Sequence, residues 1–130
     1  MTYMEKAQAL RADTTIHYNC AQSVLVPFAA EMGLSEQQAY ALGAHFGSGM
    51  RHGSTCGAIT GALMALGMMG YDETTATQIL RNVRQGHGAL DCAALLRTAH
   101  EAGIPRKPHC DGMVFELVQT VADTLAAKKD

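Results

Sequence analysis

The sequence predicts an all-α fold, a single-domain antiparallel bundle of five to seven helices spanning residues 1–130. Three observations predict it. Apolar residues recur at three- and four-residue spacing, alternating β-branched runs are missing, and helix-capping residues stand ahead of the apolar stripes. A chain of 130 residues with 48% apolar content can bury one core, and no linker, low-complexity tract or second domain interrupts it.

A short N-terminal helix comes first. Ala21, Val24, Leu25, Phe28 and Met32 then mark one face of a helix that Gly33 ends and Pro27 kinks. Ser35 with Gln38 reads as a capping box, opening a helix that turns Ala39, Leu42 and Phe46 inward. The glycine-rich segment Gly47–Gly53 is a loop. Ser54 or Thr55 caps the central helix, whose core face is Ile59, Leu63, Leu66 and Met69 and whose stop is Gly70. Asp72 caps the next helix, which buries Ala76, Ile79, Leu80 and Val83. After the loop Gln85–Gly88, Asp91 caps a helix carrying Leu95, Leu96 and Ala99. Gly103, Pro105 and Pro108 break the chain. The last helix carries Val114, Leu117, Val118, Val121 and Leu125 and frays over residues 126–130.

Composition excludes several function classes. A formal charge of −2 without a Lys/Arg run argues against nucleic acid and anionic membrane surfaces. With no Trp and only three Phe and four Tyr, the chain also lacks a stacking platform for bases. No apolar stretch follows the first residues, so they do not read as a signal peptide. Gly57–Gly70 is too short and glycine-rich to span a bilayer. The expectation is a cytoplasmic protein, not embedded in a membrane. There, four cysteines point to metal or redox chemistry more than to permanent disulfides.

Cys20, Cys56, Cys92 and Cys110 stand singly, each near a predicted helix start. Cys20 precedes Val24 and Phe28 by four and eight positions, and Cys56 precedes Ile59 and Leu63 by three and seven. Cys92 stands three and four before Leu95 and Leu96; Cys110 stands four and seven before Val114 and Leu117. Such offsets share a helix face, so each cysteine extends an inward stripe at its first turn. A cysteine there also serves as a small hydrophobe, but four equivalent placements favour a shared site. A helix start further favours thiolate through its free N–H groups and dipole. If helices alternate up and down, those opening near Cys20, Cys56 and Cys92 begin at one end. Extended, Gly103 to His109 spans roughly 23 Å, enough to return Cys110 along a helix of roughly 18 Å.

Around Cys56, the string Cys56-Gly57-Ala58-Ile59-Thr60-Gly61 removes bulk from the first turn. Gly57, Ala58 and Gly61 would let an inorganic cluster approach and expose N–H groups to a thiolate; equally, Gly57 and Gly61 would groove a tight helix crossing. No Lys follows Gly61 and no strand precedes it, so it is neither a P-loop nor a dinucleotide motif. With Tyr18-Asn19-Cys20-Ala21-Gln22 before it and two single cysteines after it, the string resembles the redox-active C_GCAxxG_C_C family. The resemblance runs from about Tyr18 to about Val121 and includes Gly61–Gly67 and the Leu90-Asp91-Cys92 context. It implies a small bacterial or archaeal protein whose family cysteines are Cys20, Cys56, Cys92 and Cys110. It also implies genes near transporter genes, hence an electron-transfer partner linked to a membrane transporter.

His17, His52, His87 and His109 each precede a cysteine by five residues or fewer, as alternative ligands, proton carriers or ordinary loop residues. His45 and His100 read as mid-helix surface residues, Asp91 and Asp111 as helix caps, and Met64, Met68 and Met69 as core filler. Met50-Arg51 would serve a homodimer as readily as a ligand. Three chemistries fit four inward thiols: an iron–sulfur cluster for electron transfer or sensing, a metal-free dithiol/disulfide couple, or a structural zinc or interaction module. No Cys-x-x-Cys pair is present, which counts against thioredoxin-like exchange and a zinc ribbon. The cluster reading leads, because four inward thiols suit a site deeper than a redox disulfide usually occupies.

Overall fold

The computed structural model describes residues 1–128. Seven α-helices follow one another: α1 Tyr3–Ala12, α2 Cys20–Leu25, α3 Glu36–Leu42, α4 Gly57–Met68, α5 Glu73–His87, α6 Cys92–Glu101 and α7 Arg106–Lys128. No strand is present among the described residues; the one extended contact is an isolated antiparallel bridge between Thr55 and Asp91. Among the described residues, no helix is long and apolar enough to cross a membrane. The fold is all-α.

Local sequence fixes most helix starts. Thr2, Asn19 and Ser35 each close a capping box, with Glu5, Gln22 and Gln38 respectively, and Asp72 accepts from the amides of Thr74 and Thr75. The central helix departs from expectation: its N-cap is Cys56 itself, with no side-chain capping bond, and neither Ser54 nor Thr55 fills that place. Asp91 does occupy the N-cap of α6, but its side chain makes no capping bond.

Four other expectations need correction. Pro27 does not kink a long helix. It lies in a single tight 3₁₀ turn, Val26–Phe28, that ends α2 after six residues, because Pro supplies no N–H to continue the ladder. Nor does Pro108 hold the chain extended. It is the third residue of α7, where N–H groups lack intrahelical partners anyway, so the linker shrinks to 103–105. Finally, Leu42 and Met68 are exposed where an inward face was expected. Residues 126–128 continue α7 and do not fray, and 129–130 lie outside the described residues.

The core centres on Phe28, Leu25, Ile59, Met113, Leu117 and Val118, contributed by α2 and its 3₁₀ turn, α4 and α7. α1 covers one side: the Tyr3 ring stacks on Phe28 at 4.4 Å between centroids, and its hydroxyl donates to Glu31 at 2.7 Å. The tightest approach joins α2 to α4. A Cβ on Gly61 would sit 2.9 Å from the Ala21 carbonyl oxygen and 3.2 Å from the Val24 Cβ. A Cβ on Gly57 would meet the Phe46 carbonyl oxygen at 2.8 Å and the Ala21 nitrogen and Cys20 Cβ at 3.2 Å. These contacts set the distance between two cysteine-bearing helices.

A pair of substitutions separates this role from helix propensity. Gly61→Ala should destabilise the fold by about 1–3 kcal/mol, the usual cost of overpacking. Gly112→Ala, on an exposed turn of α7 with nothing within 4 Å of its Cβ position, should stabilise by about 0.5–1 kcal/mol. Urea unfolding of the two variants reads both signs; a neutral Gly61→Ala would remove the crossing as a constraint.

Candidate functional site

All four cysteines line one cavity of about 90 Å³. Cys20 is the first residue of α2, Cys56 the N-cap of α4 and Cys92 the first residue of α6. Cys110 was expected at a helix start, but α7 begins at Arg106, so Cys110 lies in its second turn. It still faces the cavity, and Arg106, four residues earlier on the same helix face, lines the cavity beside it. Leu95, Leu96 and Met113 supply apolar wall.

Backbone pairing ties two of the thiols together. Around the Thr55–Asp91 bridge, the Cys56 amide donates to the Leu90 carbonyl at 2.9 Å and the Cys92 amide to the Ser54 carbonyl at 2.6 Å. The starts of α4 and α6 are therefore held side by side. Cys20 is placed by its neighbour Asn19, which caps α2 through the Gln22 amide at 2.8 Å and donates to the Gly43 carbonyl at 3.0 Å. Arg11 joins α1 to the site, donating to Asp111 at 2.6 Å and to the Tyr18 carbonyl at 2.9 Å. Asp111 is thus no helix cap; it sits inside α7, paired with Arg11 and with Lys107 at 3.1 Å.

The preceding loop is unusual. Ser48, Gly49, Met50 and Arg51 all have positive φ, of 53°, 62°, 58° and 68°. Such a run in non-glycine residues costs of order 1–3 kcal/mol each. It brings Ser48 to accept a hydrogen bond from Arg106 at 3.1 Å, and it lays Gly49 against Cys92, where a Cβ would stand 2.7 Å from the Cys92 Cβ. Of the residues expected to cradle a cofactor, Gly57 lines the cavity. Ala58 contributes through its amide, and Gly61 belongs to the helix crossing.

The thiols differ electrostatically. Cys20 donates its S–H to Cys110; that bond, then burial, push the Cys20 thiol well up. The same bond pulls Cys110 down to about 6, with Arg106 and Arg11 adding to it against burial and Asp111. Burial raises Cys56, offset by the amides of Ala58 and Ile59 at the start of α4. Burial also raises Cys92, as does the negative charge of Cys110, while Arg106 opposes them.

His17 and His109 line the cavity; His52 does not, and His87 instead pairs with Glu116 at 2.8 Å. Burial, then the nearby His87, push the His109 pKa down. His45 lies in the turn after α3, in contact with Arg51 at 2.6 Å. No three of the His, Cys, Asp and Glu side chains among the described residues stand close enough to hold one metal ion.

Residues 18–124 match the family model described as "Putative redox-active protein (C_GCAxxG_C_C)". The chain belongs to the C_GCAxxG_C_C family. The matched segment contains all four cavity cysteines and excludes α1, so Arg11 approaches the site from outside it. This C_GCAxxG_C_C protein reads Cys56-Gly57-Ala58 where the family name writes Gly-Cys-Ala. No match was found among curated proteins or among solved structures.

Arg11, Asn19, Ser48, Arg106 and Met113 were not singled out by sequence reasoning. Arg106 was findable, since it precedes Cys110 by one helical turn; Arg11 was not, because its partner Asp111 is 100 residues away.

In reduced, metal-free protein, iodoacetamide should alkylate Cys110 with a rate that rises through a midpoint near pH 6. Cys20, Cys56 and Cys92 should react only above the ordinary thiol value of about 8.5. Peptide mass spectrometry across pH 5–10 reads the order. Four coincident midpoints would contradict the electrostatic asymmetry.

Proposed function

We propose that Cys20, Cys56, Cys92 and Cys110 hold an iron–sulfur cluster, making this C_GCAxxG_C_C protein a small one-electron carrier or sensor. The observation that carries the reading is convergence. Thiols from four separate helices, all free, line one cavity that no side chain fills. Four soft sulfur donors suit zinc or iron–sulfur chemistry. A single zinc with Zn–S of about 2.3 Å needs its sulfurs about 3.8 Å apart, and no three ligands here gather around one ion. A cluster spreads its thiolates over several irons and tolerates wider spacing, so the donor set fits it better.

Bound there, the cluster would supply reversible one-electron transfer at a potential set by burial and by hydrogen bonds to sulfur. The chain's own contributions follow from position. The Ala58 and Ile59 amides stabilise the Cys56 thiolate, and Arg11 and Arg106 offset accumulated negative charge. Gly57 keeps the wall beside Cys20 free of a side chain. Cys56 is buried while Cys20, Cys92 and Cys110 are half-buried, so an electron partner exchanges from the side opposite Cys56.

Protein purified and reconstituted without oxygen should be brown, with iron and sulfide in similar amounts. Cys56→Ser should lose the colour, and the loaded protein's extra thermal stability with it, because binding free energy across four helices is also folding free energy. Colourless, metal-free protein after reconstitution would overturn the reading. A metal-free thiol couple is the second reading, favoured by the contact between Cys20 and Cys110.

A further inference from the structure

One cysteine differs from the other three in access. Cys110 lines the inner cavity and also an outer groove of about 330 Å³ that none of the others reaches. Small-molecule sites begin near that size. The groove is walled by Arg11, Arg106, Lys107 and His17, with Asp13 as its one acidic lining residue. Asp111, behind the wall, binds Arg11 and Lys107, while among the described residues Arg106 has only the Ser48 hydroxyl as partner. Directly inside the groove, Cys20 lines the same small cavity as Cys110, and the two thiols interact electrostatically. An outward sulfur backed by a second thiol, at the end of a cation-lined groove, is a thiol-exchange geometry.

We propose that Cys110 and Cys20, in the cluster-free protein, form a thiol–disulfide exchange site that takes a small anionic disulfide through this groove. The Cys110 thiolate attacks one sulfur of the substrate, whose S–S bond breaks. One substrate thiolate leaves with the electron pair, and a mixed disulfide remains on Cys110. Cys20 gives up its proton to the departing sulfur and attacks Cys110, expelling the second half of the substrate. The substrate is reduced by two electrons to one thiolate and one thiol, and the protein is oxidised to a Cys20–Cys110 disulfide. Arg106 and Lys107 attract the substrate's carboxylates and the departing thiolate. The inference shares cysteines with the cluster reading but does not rest on a cluster.

The test uses the full chain, reduced, chelated and handled without oxygen. 3,3′-Dithiodipropionate, a dicarboxylate disulfide, should give one internal disulfide per chain, mapped by peptide mass spectrometry to Cys20–Cys110, with two substrate thiols released. Cystamine, its dicationic counterpart, should react at least about fivefold more slowly at low salt, a gap that salt narrows. Arg106→Gln/Lys107→Gln should shrink the same gap. Cys20→Ser should stop at a mixed disulfide on Cys110 with one thiol released. A disulfide mapped to any other pair, or cystamine reacting as fast as the dicarboxylate, would overturn the proposal even if Cys20→Ser failed to fold. Brown reconstituted protein would not rescue the exchange site from either result, and colourless protein would sink only the cluster.

Discussion

The close crossing of α2 over α4 is the constraint on which the site depends. Gly57 and Gly61 let the α4 backbone approach Ala21 and Cys20 to distances that a methyl group forbids. That approach puts Cys20 beside Cys56. α7 then packs across both helices, with Met113, Leu117 and Val118 in the core, and this packing carries Cys110 to the same end. The Thr55–Asp91 bridge adds Cys92. Convergence of four thiols is therefore a consequence of small residues at one crossing, one long helix and a single antiparallel bridge.

Burial and charge act oppositely on the four sulfurs. Burial, and for Cys20 above all the bond to Cys110, hold Cys20, Cys56 and Cys92 towards the neutral thiol. Cys110 alone is turned the other way, by the S–H that Cys20 donates and by two arginines. A site built so has a deep side, suited to holding something, and an outer side, suited to exchange. The left-handed turn Ser48–Arg51 belongs to the outer side, because it holds Arg106 through Ser48. Backbone strain of this kind persists only where surrounding structure imposes it; here the bridge and the Gly49–Cys92 contact do so.

The helical class and the convergence of the cysteines were legible, because apolar period and capping residues are local signals. Ser35–Gln38 and Asp72 cap helices as their spacing predicts. Where α2 ends was not legible: an apolar stripe from Ala21 to Met32 looks the same whether the backbone is one helix or a helix, a 3₁₀ turn and a loop. Pro108 misled for a related reason, since Pro breaks a helix interior but suits a first turn. Leu42 and Met68 follow the apolar period, yet no neighbouring element covers them. The cations of the site come from outside the cysteine motifs. Arg11 meets Asp111 only through packing of α1 on α7, which no short-range pattern encodes.

The most direct test of the central claim, that four thiols share one site, is to count the cysteines protected from alkylation as reconstituted protein is loaded. Under native mass spectrometry, each chain should show either no protected thiol or all four, with no intermediate class. In protein kept reduced, so that no Cys20–Cys110 disulfide forms, a stable population with only two protected would show two separate pairs and contradict the shared site.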